Sequence, residues 1–166
     1  GLEENKFGVS WKRVPEIFGA FRDVASVELV GLHVHIGSPV REIEPYESAV
    51  KVLLRLVDTL EVEGHKVSVL DLGGGWPMNY TDDQSPGIEP FAEALIPLLE
   101  KRAKNGLQIV LEPGRSILAN SGVLLTRVQH VKVGRAKTFV ICDAGMHTLI
   151  RPAFYRAFHF AWPATV

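Results

Sequence analysis

The stretch "KVSVLDLGGGWP", Lys66 to Pro77, decides how the rest of the chain reads. Val67, Val69, Leu70 and Leu72 make a short apolar run of the kind that forms a buried strand. Three glycines follow directly, Gly73, Gly74 and Gly75. Glycines at a strand end let the backbone pass close to a ligand and point N–H groups at it, which suits phosphate. They also make an ordinary tight turn, and the glycines alone do not separate the two. The spacing is not GxGxxG and no Gly-Lys-Ser/Thr follows, so neither a dinucleotide loop nor a P-loop is supported.

Working outward, "VELVGLHVHI" over 27–36 is a second short apolar run, read as a buried strand. Between the two lies "IEPYESAVKVLLRLVDTLEVEG", in which Leu53, Leu56, Val57 and Leu60 recur at helical spacing before Gly64. After the glycines, 88–106 predicts another helix, with Pro97 as a kink and Gly106 as its end. "LQIVLEPGR", 107–115, predicts a third strand. Strand, helix, strand, helix, strand implies parallel strands joined by crossover helices. From about 116–122 the pattern changes. Residues 122–134 and 137–145 are β-like, with a turn at Gly134-Arg135 and no helix between, and predict an antiparallel hairpin.

Composition narrows the function classes. The 166 residues are 46% hydrophobic and 22% charged, with a formal net charge of −1. That balance gives no electrostatic reason to expect nucleic acid. No apolar run reaches membrane-spanning length, so no membrane partner is expected. The single cysteine, Cys142, has no internal disulfide partner and reads as a small buried hydrophobe in a cytoplasmic protein. The opening "GLEENKFGVS" and the closing "FHFAWPATV" both read like the interior of a longer chain, so we expect an incomplete fragment.

All three predicted strands end in residues suited to chemistry, and in α/β folds sites gather at the carboxyl ends of strands. "HIGS" offers a flat imidazole, His35, and a hydroxyl, Ser38. His33 and His35 share a strand face, which opens a metal option. The later strand ends carry Gly-Gly-Gly and Glu-Pro-Gly-Arg rather than further histidines, so no metal is expected. "EPGR" sets Glu112 beside Arg115. They can pair with each other, or Glu112 can hold a ring nitrogen protonated while Arg115 and the Gly114 N–H hold phosphate. A protonated pyridine is what makes pyridoxal phosphate a strong electron sink. "RPAFY" places Arg151 and Tyr155 where charge and hydroxyl can take a carboxylate, or where aromatic residues pack a surface loop.

In this order, "GLHVHIGS", "LDLGGGWP", "LEPGRSI", "GVLLTRV" and "DAGMHTLIRPAFY" resemble the ornithine/diaminopimelate/arginine group of pyridoxal-phosphate decarboxylases. The resemblance runs from about "KFGVS" to the end. It implies the C-terminal part of an alanine-racemase-like (β/α)8 TIM barrel, residues 1–118, running into the start of a β domain, residues 119–166. It implies pyridoxal 5'-phosphate as cofactor, with His35 stacked on its ring. Ser38, Gly73, Gly74, Gly75, Gly114 and Arg115 would hold the phosphate, and Glu112 the pyridine nitrogen. Arg115, Arg151 and Tyr155 would hold substrate carboxylates. The "IRPAFY" block favours meso-diaminopimelate as the amino-acid substrate, decarboxylated to lysine and CO2 in lysine biosynthesis by a homodimer.

Trp76-Pro77 stands where the group usually has Phe or Leu and then Gly, His147-Thr148 where it has Asn or Thr and then Asp, and Pro39 where Gln is common. The Schiff-base lysine of the group sits in a Tyr-x-x-Lys-Ala-Asn type motif, which this sequence lacks. That lysine is expected upstream, and the chain alone is expected to be inactive. Other expectations stay open. One is a different decarboxylase, for ornithine, arginine or carboxynorspermidine, or a racemase on the same fold. From another class come a metal-dependent hydrolase built on His33 and His35, and a non-catalytic phosphate-binding module.

Overall fold

The computed structural model describes residues 6–80 and 85–164. They divide into two compact units, 1–119 and 120–166. In the first, a 3-10 turn at Trp11–Arg13 leads into α1 (Val14–Phe21). Then come β1 (Gly31–His33), α2 (Glu44–Val62), β2 (Val69–Asp71), α3 (Ile88–Lys104), β3 (Gln108–Val110) and the short α4 (Gly114–Leu118). The three strands are parallel in the order β1-β2-β3. This is the strand-helix-strand-helix-strand alternation that the sequence predicts.

The helices form where the apolar spacing places them. Tyr46, Val50, Leu53, Leu56, Val57 and Leu60 of α2 are buried, at intervals that line one helical face. Pro45 occupies the first turn, where a missing N–H costs nothing, and Gly64 at φ +84° follows the end. On α3, Phe91, Leu95 and Leu99 are buried one turn apart. The helix continues through Pro97, and its last turn is basic. These faces close over the sheet, where Leu70 at the centre of β2 is fully buried and Leu72 nearly so. Arg102 of α3 ties the two helices, reaching Glu61 at 2.7 Å and also Asp58 on α2.

The strands are shorter than the sequence predicts, because regular pairing covers only three residues on each. Single hydrogen bonds continue past those limits. Val34 N–H donates to Asp71 O at 3.0 Å, and Leu72 N–H to Val110 O at 3.0 Å. His35 therefore lies beyond the end of β1, on irregular backbone.

The second unit holds β4 (Val128–Val133), β5 (Thr138–Cys142) and α5 (Ile150–Tyr155). β4 and β5 pair antiparallel, with an irregularity between Val128 and His130. Every residue of β4 is exposed, since a two-stranded ribbon has no second layer to bury a face against. Cys142 is half-buried rather than buried, for the same reason. Among the described residues no helix is long and apolar enough to cross a membrane.

Candidate active site

The three strand ends of the first unit meet through backbone contacts that only glycine permits. A Cβ on Gly73 would lie 2.3 Å from Val34 O, one on Gly74 2.4 Å from Glu112 O, and one on Gly75 2.0 Å from Gly37 O. Gly73 at φ +67° and Gly75 at φ +95° also adopt backbone that side chains disfavour. The run of glycines thus fits the loop after β2 between the loops after β1 and β3. Gly73 N–H donates to Asp71 Oδ1 at 2.9 Å, and Gly74 N–H to His35 Nδ1 at 3.4 Å. Gly114 N–H donates to Glu112 O at 2.8 Å.

Beneath this loop lies an aromatic cluster. Tyr46 stacks on Trp76 with centroids 4.2 Å apart and planes 7° apart, and Phe91 meets both edge-on. The Tyr46 hydroxyl donates to Gly74 O at 2.9 Å. Burial pushes the Tyr46 phenol up to about 12. Trp76, unusual by family pattern, is therefore a core residue that supports the glycine loop.

Arg115 and Glu112 do not pair with each other. Arg115 Nη1 donates to the Tyr80 hydroxyl at 3.1 Å and Nη2 to Ser38 Oγ at 3.3 Å. Its Nε is buried without a hydrogen-bond partner among the described residues. A guanidinium set against two neutral hydroxyls is a cation ready for an anion, and a phosphate fits that donor set. Glu112 instead lies with His33, whose Nε2 is 3.5 Å from its Oε2. The His33 side chain is half-exposed.

His33 and His35 share no ligand geometry. His33 does gather two further donors, Asp71 and Glu112, with one ligand atom from each within 4.8 Å of the others, a grouping that the sequence spacing does not show. Tyr80 lies outside every motif and carried no signal at the level of sequence. Arg151 and Tyr155 meet within α5, the guanidinium 5.6 Å from the ring centroid.

Residues 1–119 match the family described as pyridoxal-dependent decarboxylase, pyridoxal binding domain. The chain belongs to the pyridoxal-dependent decarboxylase family. A diaminopimelate decarboxylase from Aquifex aeolicus is 40% identical over 165 residues, covering 98% of this chain and 38% of that one. One from Pseudomonas aeruginosa is 43% identical over 157 residues, covering 95% of this chain and 37% of that one. The crystal structure of diaminopimelate decarboxylase from Helicobacter pylori, complexed with L-lysine, superposes with a TM-score of 0.84 at 37% identity. It is covered over 39% of its length, by 96% of this chain. The chain thus spans about two fifths of the length of these decarboxylases. Its three parallel strands are part of the alanine-racemase-like barrel on which such decarboxylases are built. The donor set of Ser38, Tyr80 and Arg115, and the carboxylate of Glu112 three residues before Arg115, fit the family's cofactor.

Proposed function

We propose that this chain is the cofactor-binding portion of a diaminopimelate decarboxylase, which removes CO2 from meso-diaminopimelate and yields lysine. The observation that carries the proposal is Arg115, held by Ser38 and Tyr80 at the ends of the strands without a carboxylate among its described partners. When bound, pyridoxal phosphate supplies an electron sink for the charge left at the substrate's α-carbon as CO2 departs.

The chain's own residues do the rest. Arg115, Ser38 and Tyr80 bind the phosphate, Gly114 leaves open space beside them, and Gly73, Gly74 and Gly75 shape the site by letting the loop after β2 pack against its neighbours. Glu112 holds a proton at the ring nitrogen, since an adjacent carboxylate favours the charged pyridinium. His35, turned toward the loop by the Gly74 N–H, presents its ring face. Arg151 and Tyr155 are assigned to a substrate carboxylate in the whole protein. On this proposal residues 1–118 bind cofactor and 119–166 begin a β domain. The whole protein is a cytoplasmic homodimer, and its anchoring lysine lies upstream.

The test is release of CO2 by the whole protein. meso-Diaminopimelate turned over well ahead of ornithine and arginine supports the assignment. A preference for ornithine or arginine moves the substrate and leaves the cofactor assignment standing.

A further inference from the structure

We infer that His33 is a positioning residue for Glu112, holding that carboxylate toward the cofactor's ring nitrogen. The inference rests on the proposed cofactor site and goes one residue beyond it.

The geometry is a relay across three adjacent strands. His33 closes β1 and pairs in register with Asp71, which closes β2, while Glu112 stands two residues past the end of β3. The Glu112 backbone is pinned on both sides: its N–H donates to Gly73 O at 3.0 Å, and its carbonyl accepts from Gly114 N–H at 2.8 Å. Its side chain is half-exposed, and His33 Nε2 stands 3.5 Å from Oε2. A shift of a few tenths of an ångström makes this a hydrogen bond, and such contacts commonly tighten only when the site is filled.

Asp71 sets the need for a donor here. It is a second carboxylate in the same cluster, and like charges push a free Glu112 side chain away. Asp71 Oδ1 is already occupied by the Gly73 N–H. His33 Nε2 faces Glu112 Oε2 at 3.5 Å, and an imidazole N–H there serves the one carboxylate of the pair that the proposed cofactor site uses. As a half-exposed contact it contributes little to stability. Its value is in orientation, which a binding measurement can read apart from folding.

The experiment titrates the whole protein, freed of its cofactor, with pyridoxine 5'-phosphate and with its 1-deaza analogue, which replaces the ring nitrogen by carbon. Neither ligand carries an aldehyde, so neither attaches to surface lysines. The wild-type protein is expected to prefer the nitrogen-bearing ligand. His33→Ala should lower that preference about tenfold, the scale of one hydrogen bond to a charged group. His33→Gln, which keeps an N–H donor near the Nε2 position, should restore it. Affinity for inorganic phosphate and the melting temperature should be the same in all three proteins. An unchanged preference in His33→Ala, or a His33→Gln that behaves like His33→Ala, overturns the inference. A wild-type protein that binds neither ligand, or both equally, overturns the underlying assignment of Glu112, and this inference with it.

Discussion

Arg115 Nη2 lies 3.3 Å from Ser38 Oγ, across 77 positions of sequence. The contact joins the loop after β1 to the start of α4 and brings a guanidinium, rather than a carboxylate, to the serine. Replacing Arg115 by Lys keeps the charge and loses the planar fork. We expect Arg115→Lys to weaken binding of a phosphorylated pyridine by roughly 1.5–3 kcal/mol, about ten- to a hundredfold. Ser38→Ala, which removes a neutral hydroxyl, should cost less. Calorimetric titration gives both, and equal affinities for wild type and Arg115→Lys would remove Arg115 from the site.

Gly74→Ala should destabilise the first unit by at least about 1–3 kcal/mol, because the new methyl meets backbone, Glu112 O, which has no rotamer to change. Gly19→Ala is the control. Nothing lies within 4 Å of a Cβ there and the residue is inside α1, so the substitution should stabilise by about 0.5–1 kcal/mol. Denaturant unfolding measures both, and two variants of equal stability would contradict the close approach of the loops.

Tyr46 predicts an alkaline limit to stability. Its phenol is raised by burial from 10.0 to about 12, so the folded state keeps a proton that the unfolded state loses first. Stability from this group is complete below about pH 10 and falls as pH rises toward 12, by on the order of 2 kcal/mol in all. Tyr46→Phe should flatten that decline. It should also cost about 1–3 kcal/mol at neutral pH by leaving Gly74 O without its donor. Unfolding free energies across the alkaline range, with tyrosinate absorbance, check both.

Asp143 predicts the opposite dependence in the second unit. The Thr126 hydroxyl, then the Arg127 N–H, hold its carboxyl below the usual range, since both donate to the charged form. The stabilisation is present above the unfolded value of 3.8 and is lost as pH falls through the lower folded value. NMR titration of the carboxyl reads this directly, and a midpoint at or above 3.8 would contradict the contacts.

The run from β1 through α2, β2 and α3 to β3, and the β4-β5 hairpin, were legible in the sequence because the signals are local, whereas the short helices α1, α4 and α5 were not read there. The stripe Leu53, Leu56, Val57, Leu60 repeats at helical spacing, and the runs before "HIGS", "GGGW" and "EPGR" are short and apolar. Strand ends were less legible, since they depend on where neighbouring backbones stop pairing. The same holds for the site. Arg115 and Glu112 look like a pair when they are three residues apart in sequence, yet their partners come from 77 and 79 positions away, Ser38 and His33. Tyr80 belongs to no motif, and Asp71, though it stands in "LDLGGGWP", meets His33 and Glu112 through tertiary contact alone. The structural work of the three glycines was hidden too, because the atoms they avoid belong to other loops.

The central claim is that a phosphorylated pyridine binds at the ends of these three strands. The most direct measurement is the change in backbone amide resonances of the chain as pyridoxine 5'-phosphate is added. The account predicts shifts concentrated at His35, Ser38, Gly73 to Gly75, Tyr80 and Glu112 to Arg115, with inorganic phosphate reproducing those at Ser38, Tyr80, Gly114 and Arg115. Shifts elsewhere in the chain, or none at saturating ligand, would contradict it.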